Sequence, residues 1–71
     1  MATSIEAQIA GRVFRIEVVV GDAVDPGTVV AVLESIKMEV PVEAPQRGRV
    51  EAVRVREGDA VEEGDVLVVL A

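Results

Sequence analysis

The chain has 71 residues, 51% of them hydrophobic, with a formal charge of -6 and a pI near 4.4. It contains no cysteine and no histidine, which excludes disulfides, a cysteine or histidine zinc site, thiol catalysis and histidine acid/base chemistry. The acidic balance argues against a nucleic-acid or anionic-membrane surface, because phosphate binding needs clustered cations. A domain this small needs an unusually apolar core. With Phe14 the single aromatic residue, that core must be built from Val, Ile, Leu and Ala, a composition that favours strands.

In chain order, Ser4 to Ala10 alternates, with Ile5, Ala7 and Ile9 on one side and Glu6 and Gln8 on the other, as in a half-buried strand. After Gly11, residues Arg12 to Val20 are expected to be extended, with Phe14, Ile16, Val18 and Val20 sharing the core face. Gly21-Asp22 and Asp25-Pro26-Gly27 are turn signals, and Val24 between them is expected to anchor the loop to the core. Thr28 to Leu33 is an apolar run too short for a helix between such breakers, and fits a buried strand. Met38 to Glu43 resumes as a strand containing Pro41, which lacks an amide hydrogen and therefore places this strand at an edge. Ala44 to Gly48 is a loop, Arg49 to Glu57 is extended, and Val66 to Leu70 closes the chain as another apolar strand.

The two halves repeat. An offset of 37 residues superposes Gly11-Arg12-Val13 on Gly48-Arg49-Val50 and Gly21-Asp22-Ala23-Val24 on Gly58-Asp59-Ala60-Val61, with no gap. Gly27 then falls on Gly64 and Val32-Leu33 on Val69-Leu70. Two equivalent motifs of about four short strands each follow, related by a pseudo-two-fold axis. Neither could bury its apolar face alone, so the fold class is all-β, two antiparallel sheets packed as a flattened barrel or sandwich.

Between the halves lies Glu34-Ser35-Ile36-Lys37-Met38-Glu39. Lys37 is the only lysine; Arg12, Arg15, Arg47, Arg49, Arg54 and Arg56 supply every other side-chain cation. A guanidinium is a poor nucleophile, whereas a deprotonated ε-amine is a good one. If the flanking strands pair as a hairpin, Ile36 and Lys37 occupy a turn that favours Asn-Gly or Asp-Gly, and the turn should protrude. A local rule broken at a protruding point marks a site held for something other than stability. The bland reading is a solvated turn lysine balanced by Glu34 and Glu39. Its being the sole lysine, its central place and the apolar neighbours Ile36 and Met38, which a partner enzyme could grip, favour a modified lysine instead. Asp22, Asp25, Asp59 and Asp65 lack calcium-loop spacing and are expected to shape turns; no catalytic constellation is visible.

Glu34-Ser35-Ile36-Lys37-Met38 resembles the Glu-Ala/Ser-Met-Lys-Met motif of the biotinyl/lipoyl attachment domain family, as found in biotin carboxyl carrier proteins. Val42, Ala44-Pro45, Gly48 and Val50 follow the same succession, and Gly58-Asp59-Ala60-Val61-Glu62-Glu63-Gly64-Asp65-Val66-Leu67 resembles the family's closing signature. The resemblance covers nearly the whole chain, so residues 1–71 are expected to form one biotinyl domain like the small stand-alone biotinylated proteins.

The resemblance implies a barrel-sandwich hybrid with biotin joined covalently to Lys37 by a biotin protein ligase. Glu34, Ser35, Ile36, Met38 and Glu39 would be read by the ligase or other partners. A biotin carboxylase and a carboxyltransferase, in trans, would load the carried carboxyl group and pass it to an acceptor such as an acyl-CoA. The chain would be a carrier rather than an enzyme, without metal or nucleic acid, and monomeric. Because Met1-Ala2-Thr3-Ser4 show no basic region before an apolar run and no apolar run approaches a membrane span, a cytoplasmic protein away from membranes is expected by default. It departs from the family in having Ile36 where methionine is usual, no inserted thumb loop and no N-terminal linker. The alternatives are a lipoyl carrier of a 2-oxo acid dehydrogenase complex, whose tip usually resembles Asp-Lys-Ala, and an unmodified interaction module of the same fold.

Overall fold

The structure is a computed structural model in which residues 2–71 are described. Eight strands form: β1 (Thr3–Glu6), β2 (Gly11–Ile16), β3 (Ala23–Val24), β4 (Val29–Ser35), β5 (Met38–Glu43), β6 (Gly48–Val53), β7 (Ala60–Val61) and β8 (Val66–Leu70). They make two four-stranded antiparallel sheets, ordered β1-β8-β6-β3 and β5-β4-β2-β7. The repeat exchanges β1 with β5, β2 with β6, β3 with β7 and β4 with β8. Each sheet therefore takes strands from both halves, and the pseudo-two-fold axis swaps one sheet for the other. This is the all-β sandwich expected from the strand pattern.

The symmetry extends to single hydrogen bonds. The Gly21 amide donates to the Val50 carbonyl at 2.8 Å, and its counterpart Gly58 to Val13 at 2.7 Å. The Val19 amide donates to the Asp22 carboxylate (3.0 Å), and the Arg56 amide to Asp59 (2.9 Å). Gly21 and Gly58 have φ of 100° and 97°, a conformation that L side chains rarely adopt. Thr28 accepts the Asp25 amide through its hydroxyl, and at the matching place Asp65 accepts the Glu62 amide. These aspartates therefore tie turns, as their sequence context indicates, and no group of three or more acidic side chains among the described residues could hold a metal ion.

The core lies between the sheets, with Val13, Val30, Leu33, Val50, Leu67, Val68 and Leu70 fully buried. Val24 and its counterpart Val61 are buried too, as anchors of the β3 and β7 loops. Pro41 sits on β5, an edge strand, in the place its missing donor requires.

The core face expected over Arg12–Val20 needs correction. The β2–β4 register shifts between Val13 and Arg15, and the β6–β8 register shifts at the matching place, between Val50 and Ala52. Phe14 and Glu51 are the extra residues of these bulges, and each turns to solvent. Val13 faces inward in place of Phe14, which is 40% exposed, and Val20 is 63% exposed, while Val18 is buried and Ile16 packs against the core as expected. The Arg15 guanidinium caps the Phe14 ring, 5.4 Å from its centroid. A second pair of shifts, against β5 and β1, inserts Val30 and Leu67, so that Val30-Ala31 and Leu67-Val68 are buried consecutively. That is why β4 and β8 read as apolar runs rather than alternations.

The molecule is 33 Å long and 18 × 17 Å across. From Gly11, beside the end of β4, the chain follows β2 and its extension to Gly21, which bonds to Val50 beside the end of β8. This segment therefore carries the chain from the β4–β5 end of the molecule to the other. The β4–β5 turn thus lies at one end and the paired Thr3 and Leu70 at the other.

Candidate functional site: the β4–β5 hairpin tip

β4 and β5 pair from Val29↔Glu43 to Ser35↔Met38, leaving Ile36 and Lys37 as a two-residue turn. Only one of these carries the strained backbone expected of both. Lys37 has φ of 58° and is the single non-glycine residue with positive φ among those described. Holding a side chain there costs about 1 kcal/mol, and glycine would avoid most of it.

The tip places every residue singled out from the sequence together. Ile36 is 86% and Met38 60% exposed, and Lys37 projects between them. Glu34 and Glu39 face each other directly across the hairpin, a like-charge pairing that disfavours the sheet. Neither comes within 4.0 Å of the Lys37 amine, which is therefore solvated without a direct ion pair. Ser35 is half-buried at the last ladder pair. Strain, like-charge opposition and exposed apolar side chains thus concentrate in six residues around one uncommitted amine. Such an amine, on a rigid hairpin clear of the domain body, can enter another protein's cleft and form an amide. It is chemically suited to hold biotin or lipoate through the carboxyl group of either.

Sequence reasoning did not reach the residues beneath the tip. Gly11 and Arg12 of β2 and Ala60 of β7 border the hairpin, because Arg12 pairs with both Glu34 and Ala60. A Cβ on Gly11 would lie 2.6 Å from the Glu34 carbonyl oxygen, so β2 approaches β4 there only because residue 11 lacks a side chain. The available signal was the repeat, which superposes Gly11 on Gly48, the close neighbour of Leu70.

A family profile described as "Biotin-requiring enzyme" matches residues 1–70. The chain belongs to the biotin/lipoyl attachment family. Relatives of this attachment domain include the biotinylated protein TB7.3 of Mycobacterium tuberculosis, 48% identical over 42 residues, which are 59% of this chain and 59% of that protein. A biotin/lipoyl attachment protein of Bacillus subtilis is 44% identical over 39 residues, 55% of this chain and 53% of the relative. The matched stretch thus spans little more than half the length of either. Among solved structures, the domain superposes on part of a single-chain, multi-domain long-chain acyl-CoA carboxylase with TM-score 0.90 and 34% identity, over 96% of this chain and 7% of that one. The urea carboxylase of Kluyveromyces lactis gives TM-score 0.94 and 32% identity, over 100% of this chain and 6% of that one. The attachment domain is therefore similar to a small portion of two large carboxylases.

Proposed function

We propose that this attachment domain is a biotin carboxyl carrier whose prosthetic group is joined to Lys37. The observation that carries the reading is that the only lysine of the chain stands at the exposed, strained tip of the hairpin. The names of its relatives and the carboxylases it resembles support biotin over lipoate. In the proposed attachment a ligase activates the biotin carboxyl group with ATP. The Lys37 Nζ attacks that carbonyl carbon, an amide bond forms, the activating nucleotide departs, and the amine gives up a proton. No described carboxylate lies within 4.0 Å of Nζ, so the ligase supplies the base. The bound group would carry a carboxyl group from a biotin carboxylase to a carboxyltransferase.

The domain's own part is geometric. Paired strands hold the tip clear of the body, Ile36 and Met38 offer apolar grip, and Glu34 and Glu39 offer charge to a partner. Tethering makes delivery between sites effectively intramolecular, with local concentrations on the order of mM.

The test is intact mass with peptide mapping after incubation with biotin, ATP and a biotin protein ligase, beside a parallel lipoyl ligase reaction. A biotin-sized increment on Lys37, lost in Lys37→Arg with folding retained, is expected. A lipoyl increment alone would move the domain to 2-oxo acid dehydrogenase complexes, and no increment would leave an unmodified interaction module.

A further inference from the structure

The repeat supplies an internal control for every residue near the tip, and Arg12 departs from its counterpart. Arg49, at the matching position, donates from Nη1 to the Gly21 carbonyl at 2.7 Å. The matching acceptor for Arg12 is the Gly58 carbonyl. Arg12 makes no side-chain hydrogen bond to it and no ion pair with any described residue. Its fixed fork of donors is exposed and unclaimed.

That fork borders an open depression of about 830 Å³ at the foot of the hairpin, which Gly11, Glu34, Lys37 and Ala60 also line. Ala10, on its rim, stands where the other half has Arg47, whose Nε binds Asp25 at 3.2 Å. The tip end is thus cleared of the ion pair that occupies the matching corner of the other half.

We propose that Arg12 and this depression form a resting site for the head of the group carried on Lys37, with the guanidinium donating to the ureido oxygen of biotin. This rests on the biotin reading above. Arg12 pairs with Glu34, three residues before Lys37, so the head must fold back about 10 Å along the strand and about 5 Å across to the next one. The lysine side chain and the acyl chain attached to it exceed that span. Glu34 and Glu39 flank the depression and disfavour an anionic head, so the site selects a neutral acceptor oxygen. A dithiolane ring offers no comparable acceptor, and a lipoyl arm gains nothing from Arg12. The site orders the arm while no enzyme holds it and releases it at small cost, because the contact is open to water.

The test loads the domain chemically, with an activated ester of biotin, and uses the species that peptide mapping shows modified at Lys37 alone, so it does not depend on any ligase. Amide NMR spectra of free and biotinylated domain are compared, and a lipoylated domain is prepared in the same way. The expected result is shifts at Arg12 and Ala60, besides those at residues 35–39, in the biotinylated form alone. Arg12→Ala should lose the Ala60 shift while the tip shifts and the melting temperature stay unchanged. Shifts confined to residues 35–39, an Ala60 shift that survives Arg12→Ala, or equal shifts with lipoate would each overturn the proposal. Failure of a biotin protein ligase to modify the domain would overturn the carrier reading separately.

Discussion

Gly11 and Gly48 occupy equivalent positions in the repeat, yet the structure predicts different consequences for replacing them. A Cβ on Gly11 would meet the Glu34 carbonyl oxygen at 2.6 Å, a backbone atom held by the β2–β4 ladder. On Gly48 it would meet the Leu70 Cβ at 3.2 Å and the Ala71 oxygen at 3.4 Å. Forcing an atom into a packed position costs about 1–3 kcal/mol, while replacing glycine in an extended segment returns about 0.5–1 kcal/mol. Gly11→Ala should therefore lose about 1–2 kcal/mol and Gly48→Ala should stay within about 1 kcal/mol of wild type. At about 4–8 °C per kcal/mol for a domain of this size, Gly11→Ala should melt about 5–15 °C lower. Thermal unfolding followed by circular dichroism measures both. Because the clash bears on the strand leading to Lys37, Gly11→Ala should also slow biotinylation, whereas Gly48→Ala should not. A Gly11→Ala melting temperature equal to or above that of Gly48→Ala would refute the reasoning.

Lys37→Gly should raise stability by about 0.5–1 kcal/mol by relieving the positive φ, seen as a higher urea midpoint, while abolishing attachment. Leu70→Asp buries an unpaired charge at a position with no exposure and should eliminate cooperative unfolding, whereas half-buried Val53→Asp should be milder. Asp22→Ala and Asp59→Ala each remove one side-chain acceptor from a backbone amide and should cost about 1 kcal/mol apiece by chemical denaturation, nearly equal because the turns are equivalent.

Much of this was legible in the residues. The repeat gives the pseudo-symmetry, β5 and β8 begin and end where their apolar patterns do, and Pro41 marks the edge strand. A sole lysine in an unsuitable turn marks the tip. What stayed hidden has a common cause. Bulges at Phe14 and Glu51 add one residue to a strand and reverse the inward parity, a choice made by the partner strand's register rather than by local pattern. The two-residue strands β3 and β7 are too short to show any period. Arg12 stands 25 positions before Lys37 in the chain, and no periodicity reveals that cross-strand pairing brings it alongside Glu34.

The pairing of Thr3 with Leu70 has a mechanical consequence. A chain entering at one and leaving at the other does so at a single point, at the end of the molecule away from Lys37. Fixed there, the whole domain becomes a stiff lever. A modest rotation at that pivot sweeps the amine along an arc whose radius approaches the 33 Å length of the molecule. The travel available to Lys37 is then set first by the hinge and only afterwards by the flexibility of whatever the lysine carries.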